Sequence, residues 1–460
     1  MEATSKLSDQ LRDALALIAA DAARAGGRAM MVGGAVRDQL LGLPLKDADV
    51  EVFGLPVERL RSMLRSRFEL VEVGASFGVF KLRGLDVDVS LPRRESKQGS
   101  GHRGFKVEGD PFMDIREAAL RRDFSINALY RDLASGELFD PLGGLADLEG
   151  RTLRHCGPRF VEDPLRVLRA MQFIARFGLR PAPETVSICS TMTMEELPPE
   201  RVFEEWRKLL LKGRDIFAGL EFLRECGWLS YFPELERLVG CEQWPQWHPE
   251  GDAWRHTLHC LDAFVGLRSG DDAEDIIVGL AVLCHDLGKP STTFTDDTGR
   301  IRAFGHDAAG EAPTRSLLAR MTREKRLVED VVALVRTHMQ PAALYKSGAG
   351  FEAVRRLATK VRIDRLVRLA RADMRGTPPR LHDEAPCDWL LEQAAILNLK
   401  DSAPKPIVQG RHLIQLGMKP GREFKALLDN LFEAQLRGEF TREEEGVEAA
   451  RRLVAGTKGT

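Results

Sequence analysis

The sequence predicts an α+β head, a small mixed sheet with covering helices, followed by helical segments to the end of the chain. Two observations carry this. Short apolar runs, continuous at Ala29–Val32 and alternating with polar residues at Asp86–Leu91, lie close to Val50–Phe53 and Phe77–Leu82 in the first hundred residues, and all four read as strands. From about Pro158 onward the apolar residues instead recur at three- and four-residue intervals, the spacing of amphipathic helices. With 460 residues the chain has length for several units, each with its own core. The pattern divides it into a head at 1–157, a helical neck at 158–240, a further helical domain at 241–385 and a helical tail at 386–460.

From Leu7 to Ala25, Leu11, Leu15, Ile18 and Ala22 mark one face of a helix that ends at Gly26-Gly27 and covers the sheet. A buried strand, Ala29–Val32, then meets Gly33-Gly34, and Arg37-Asp38 opens a short helix. Such a turn can offer backbone N–H groups and a helix N-terminus to a triphosphate. Asp47 and Asp49 follow, two residues apart at the start of a strand, so their carboxylates project to one face. Two convergent carboxylates suit a Mg²⁺ pair that bridges phosphates and activates a hydroxyl. Taken singly, the Gly-Gly pair also fits a plain turn and the Asp pair a solvated strand end.

Val57–Phe68 reads as a helix. In Asp86–Leu91, Val87 and Val89 face opposite to Asp88, which is either a third acidic residue beside the metals or a solvated acid on an edge strand. Arg93–Phe105 is charged and Gly-rich, and is expected to be a mobile loop. Arg121, Arg122 and Asp123 precede the apolar Phe124, Ile126 and Leu129. An Arg at this rim can hold a triphosphate or simply pair with an acid. Leu138–Leu148 reads as strand, turn and helix.

Residues 151–180 hold seven Arg against Glu162 and Asp163, a local basic footprint in a chain of formal net charge −2. Within it Asp163, Arg166 and Arg169 are expected on one helix face at three-residue spacing, able to meet a base edge or to form a salt bridge. Val202–Trp228 continues as core helices. His256 and the adjacent His285-Asp286 lie on two apolar helices and are borderline metal ligands. The last residues, Ala455–Thr460, are expected to be disordered. Seven cysteines without CxxC spacing point to reduced thiols and a cytoplasmic protein, and no signal peptide or long apolar span is present.

MVGGAVRDQLLGLPLKDADVEVFG at Met31–Gly54, followed by LRRDFSINAL and EDPLRVLRAMQF, resembles the nucleotidyltransferase head of the DNA polymerase beta superfamily. The branch is that of the bacterial tRNA CCA-adding enzymes and poly(A) polymerases. WRHTLHCLDAF and LCHDLGKP resemble the HD phosphohydrolase superfamily, and GMKPGREF resembles a string near the end of HD-containing CCA-adding enzymes. The resemblance implies a polymerase-beta-type head followed by neck, HD and tail domains. It implies Mg²⁺ at Asp47 and Asp49, with Asp88 as a third acid. Gly33, Gly34, Arg37 and Arg122 would hold the nucleotide's triphosphate, Asp123 and Asn127 would join the nucleotide site, and Glu162, Asp163, Arg166 and Arg169 would read its base. A divalent transition metal would sit at His256, His285, Asp286 and Asp373, with His306 and His338 nearby. Gln172 stands where many relatives carry Arg. The implied activity is addition of C, C and A to tRNA from CTP and ATP. Rivals are a CC-adding, A-adding or poly(A) enzyme, an HD phosphohydrolase with a regulatory head, and an RNA-binding scaffold. Oligomeric state stays open.

Overall fold

The computed structural model describes residues 9–45, 47–72, 78–97, 105–195, 197–377 and 383–457. The chain forms two compact units, Met1–Tyr231 and Phe232–Thr460, so the boundary lies inside the 158–240 segment of the sequence division.

Unit 1 is built on a seven-stranded sheet in the order β3-β4-β5-β2-β1-β8-β9. The strands are β1 (Arg28–Val32), β2 (Ala48–Phe53), β3 (Leu70–Glu72), β4 (Val79–Leu82), β5 (Val87–Ser90), β8 (Tyr130–Asp132) and β9 (Leu138–Phe139). Only β2 and β5 run parallel, which makes the sheet mixed. Alternation along β1 sends Ala29 and Met31 to one face and Met30 and Val32 to the other, and all four are buried because both faces are covered.

On the first face, helix α1 (Asp9–Arg24) packs Leu11, Leu15, Ile18 and Ala22 into a core with Val50, Val52, Val87 and Val89. Full burial of a side chain such as Ile18 contributes about 1.5–3 kcal/mol. The second face carries Asp49 and Glu51 beside Met30, Val32 and Phe53, and this is the face that faces the chemistry.

Between β5 and β8 the charged Gly-rich stretch departs from expectation. Arg93–Lys97 (β6) and Phe105–Gly109 (β7) pair antiparallel as a ribbon, and residues 98–104 lie outside the described set. A short helix, α2, starts at Gly34 rather than at Arg37 and ends at Leu40. α3 spans Val57–Arg65. Helices Leu165–Phe177, Pro199–Lys212 and Ile216–Glu225 pack together, with Trp206 and Leu209 fully buried.

In unit 2, helices Ala253–Val265, Asp272–Cys284, Lys325–Thr337 and Ile363–Arg375 pack on one another. Asp272–Cys284 is buried over its last ten residues and so lies at the centre. The region is not wholly helical, for Phe294–Thr295 and Ile301–Arg302 form a small hairpin. The tail helices Gly410–Gln415, Arg422–Arg437 and Glu443–Thr457 gather a separate core around Leu413, Leu431 and Ala450. The last of these continues to Thr457, where disorder was expected from Ala455; residues 458–460 lie outside the described set. Among the described residues no helix is long and apolar enough to cross a membrane.

Candidate functional site

The antiparallel register of β1 and β2 sets Val32 opposite Asp49, so the turn after β1 lands beside the acidic strand. Gly33 sits in that turn at φ +72 and ψ −137, a conformation close to glycine-only backbone. A Cβ there would come 2.9 Å from Arg122 Nη1 and 3.8 Å from Asp49 Oδ2. Glycine is therefore favoured by the backbone angle and by the Arg122 guanidinium, whose tip would have to shift for a Cβ, while the Asp49 carboxylate lies at ordinary van der Waals distance.

Asp47 and Asp49 are exposed and line a crevice of about 1190 Å³. Asp49's carboxyl is raised from its ordinary value, chiefly by lost solvation, against the Arg122 charge and with help from Asp88, Asp47 and Glu51. A concentration of negative charge of this kind fits a divalent cation, which Asp47 and Asp49 would hold. Asp88 pairs with Asp49 in the β2–β5 register but lies outside the crevice lining, its Oδ2 3.1 Å from Lys81 Nζ.

Arg122 donates through Nη2 to Glu51 Oε1 at 2.6 Å and lies over the Tyr130 ring. Burial alone would lower its guanidinium's pKa, but Glu51, Tyr130 and Asp49 together hold it well above the usual value. Arg37 lines the crevice as a largely buried side chain with its guanidinium tied up on protein groups. It is 4 % exposed, donates to Asn127 Oδ1 at 2.5 Å and to Asp38 Oδ1 at 2.6 and 2.8 Å, and stacks on Phe177. Arg37 and Asn127 thus tie α2 to the Ser125–Asn127 turn.

Asp163 precedes the Leu165–Phe177 helix instead of lying on it, because Pro164 starts the helix and Asp163 stays extended. Its Oδ1 accepts from the Leu165 N–H and its Oδ2 from Arg201. Arg166 donates to the carbonyls of Arg159 and Arg121. Arg169 donates twice to Asp123 Oδ2, at 2.8 and 2.6 Å. Burial raises the Asp123 carboxyl, yet the Arg169 charge and hydrogen bonds from Arg169, Asn127 and Phe124 bring it down to about 2. Glu162 ends the preceding 3₁₀ turn and is not among the lining residues. Gln172 is 2 % exposed, lines the crevice, and its Oε1 has no hydrogen-bond partner. In all, ten Lys and Arg against six Asp and Glu line the crevice, including Arg176 and Arg214, which the motifs had not singled out. The excess suits a polyphosphate.

Unit 2 holds the other cluster. His256 Nε2 lies 3.0 Å from Asp373 Oδ1, and His285 Nε2 3.7 Å from the same oxygen and 3.3 Å from Asp286 Oδ2. His306 Nε2 is 3.1 Å from His338 Nε2 and 3.6 Å from Asp286 Oδ1. Each ring is oriented from behind. The Nδ1 atoms of His285, His306 and His338 lie 2.7–2.8 Å from the carbonyls of Val282, Ala303 and Val335, and His256 Nδ1 lies 2.8 Å from Glu250 Oε1. These oxygens can only accept, so each Nδ1 carries a proton and each Nε2 faces the cluster, where a metal would take its lone pair. His285 Nε2 and Asp286 Oδ1 are buried without a hydrogen-bond partner. Convergent lone pairs and orphaned buried atoms fit a divalent metal.

Lys289 Nζ, 2.6 Å from Asp286 Oδ2, and Glu250 were missed from sequence. Lys289 was legible as one helical turn beyond Asp286, Glu250 only as an acid in a turn before the helix. Glu250 is held down at about 2, burial being outweighed by hydrogen bonds from His248 and His256.

A mixed sheet with an acidic pair beside a glycine turn, facing a cation-lined crevice, defines a polymerase-beta-type nucleotidyltransferase. The family model "Poly A polymerase head domain" matches residues 29–154, and "Probable RNA and SrmB- binding site of polymerase A" matches 178–238. The multifunctional CCA protein of Xanthomonas campestris pv. campestris (strain B100) is 40% identical over 317 residues, 67% of this chain and 74% of that one. That of Stenotrophomonas maltophilia (strain K279a) is 38% identical over 359 residues, covering 75% and 85%. The chain belongs to the multifunctional CCA protein family. Its fold is that of the Bacillus stearothermophilus CCA-adding enzyme, solved in complex with CTP (TM-score 0.67, 23% identity, 99% of this chain and 100% of that one). The Thermotoga maritima CCA-adding enzyme, solved with tRNA, gives a TM-score of 0.61 at 19% identity over 98% and 97%.

Proposed function

We propose that this chain adds C, C and A to the 3′ end of tRNA from CTP and ATP without a template, releasing pyrophosphate. The observation that carries the reading is the exposed Asp47–Asp49 pair at a crevice whose walls are rich in cations. The ribose 3′-oxygen forms a bond to the α-phosphorus, the α–β phosphoanhydride bond breaks, and the hydroxyl proton is lost. Mg²⁺ held by Asp47 and Asp49 would stabilise the negative charge of attacking and leaving oxygens.

The protein's own groups position the reactants. Gly33 and Gly34 allow close backbone approach, Arg122 faces the triphosphate from a fixed seat on Glu51 and Tyr130, and Arg176 and Arg214 add charge. Asp88 tunes Asp49 by its proximity, and Arg37 with Asn127 holds the turn. Asp123 fixes Arg169, Asp163 and Arg166 with Gln172 complete the base-facing wall, and Glu162, next to Asp163 in the chain, is read with them as part of the base pocket. An acceptor arm is an A-form helix, recognised by shape and backbone.

The His256, His285, Asp286 and Asp373 cluster, with His306 and His338, is read as a metal-dependent phosphohydrolase site. Functionally, 1–157 catalyses, 158–240 reads the base, 241–385 hydrolyses and 386–460 holds tRNA. Seven unpaired cysteines suit a cytoplasmic protein.

The test supplies tRNA transcripts ending before CCA, after C or after CC with CTP and ATP, singly and together. Ordered C, C, A completion is expected. Long A tails on unrelated RNA, or addition of C alone or A alone, would replace the reading with a poly(A) or partial enzyme.

A further inference from the structure

The His-Asp cluster contains one group that its motif does not include. Cys260 stands one helical turn after His256 on the Ala253–Val265 helix, so the two side chains share a face. The thiol is wholly buried and its Sγ lies 3.4 Å from His256 Nε2. The ligand atoms of His256, Cys260, His285 and Asp373 all fall within 4.8 Å of one another. Three of the separations are 3.0, 3.4 and 3.7 Å. A tetrahedral ion with N and O ligands at about 2.0–2.1 Å and S at about 2.3 Å spans edges of about 3.3–3.6 Å. The three separations bracket those edges, with His256 Nε2 and Asp373 Oδ1 each taking part in two of them.

Two more features bear on it. His285 Nε2 is buried without a hydrogen-bond partner and lies beside the carboxylates of Asp286 and Asp373. Gly376, just past the Ile363–Arg375 helix, leaves the room the sulfur occupies, since a Cβ there would lie 2.2 Å from Cys260 Sγ. Packing thus keeps the sulfur beside the ligand atoms of His256 and Asp373.

We propose that Cys260 is a thiolate ligand of the metal in this cluster, and that the site takes a borderline transition ion such as Zn²⁺ or Co²⁺ in preference to Mg²⁺. The proposal rests on the reading that the His-Asp cluster holds a metal. A soft sulfur beside two imidazoles favours ions that accept thiolate, whereas Mg²⁺ demands oxygen and water. The oxygen-only pair Asp47–Asp49 and this centre would then draw different metals in one chain.

The experiment titrates Co²⁺ into the chelator-stripped, reduced full-length protein and follows its absorption, with Cys260→Ala, Cys260→Ser and His285→Ala beside it. The expected result is a near-ultraviolet thiolate-to-cobalt band that is lost in all three variants, with affinity falling about tenfold or more in the Cys260 variants. A Co²⁺ complex that depends on His285 but lacks the band, or a band that survives Cys260→Ala, would overturn the thiolate ligand and leave the metal site standing. No His285-dependent binding would overturn both. If the Cys260 variants lose their fold by circular dichroism, X-ray absorption of the zinc-loaded wild type decides. A sulfur neighbour at about 2.3 Å supports the proposal and its absence refutes it.

Discussion

Asp123→Asn removes the charge that fixes Arg169 at the base-facing wall. Asp123 Oδ2 accepts twice from Arg169, and Oδ1 accepts from Asn127 Nδ2 at 3.0 Å and the Phe124 N–H at 2.8 Å. Against burial, these partners bring the carboxyl from 3.8 to about 2. The difference corresponds to roughly 2.5 kcal/mol of folding stability in the charged state. Because the folded value is the lower one, the contribution is complete above about pH 4 to 5 and is lost as pH falls through 2. At pH 3 about half of it remains. Asn keeps the volume and one acceptor, so the variant is expected to lose about 2 kcal/mol at pH 7 and about half as much at pH 3. The assay is urea unfolding of the full chain, wild type against variant, at pH 7, 5 and 3. The same variant should change the CTP-to-ATP ratio of kcat/KM by about tenfold, since Arg169 loses its anchor. An unchanged unfolding midpoint at pH 7, or a difference that does not shrink toward pH 3, would refute the reasoning.

Gly33→Ala places a methyl 2.9 Å from Arg122 Nη1 in a backbone region that costs about 1–3 kcal/mol to a non-glycine residue. Nucleotide incorporation should fall at least about tenfold with a melting point lower by several degrees, read from kcat/KM and a thermal scan. Gln172→Leu removes the orphaned amide at nearly constant volume, so stability should hold while the CTP-to-ATP ratio shifts about fivefold, the worth of one hydrogen bond. Glu250→Gln weakens the anchor behind His256, and metal affinity measured against a chromophoric chelator should fall about 10- to 100-fold.

Local periodicity carried much of the head. The alternation of Val87 and Val89 against Asp88 is the pleat itself, and Asp47 and Asp49 were legible because residues two apart share a face. What sequence spacing missed came from partners distant in the chain. Arg37 was legible as a residue beside the glycine turn and does line the crevice, but its anchors, Asn127, 90 residues on, and Phe177, were not. Asp163 matches helical spacing with Arg166 and Arg169, but Pro164 starts the helix after it. In the β6–β7 ribbon, β6 has no apolar residue to announce it, and the alternation of Phe105 and Val107 with Lys106 and Glu108 in β7 is too short to stand out after a charged, glycine-rich stretch. Cys260 was invisible to a search for paired cysteines because the partners near its sulfur are a histidine and an aspartate.

The most direct test compares nucleotide incorporation into tRNA lacking its CCA end by wild type, Asp47→Ala/Asp49→Ala and His285→Ala. The account predicts full C, C, A completion by the wild type and by His285→Ala, and none by the double variant. Completion by the double variant, or no incorporation by the wild type, would contradict it.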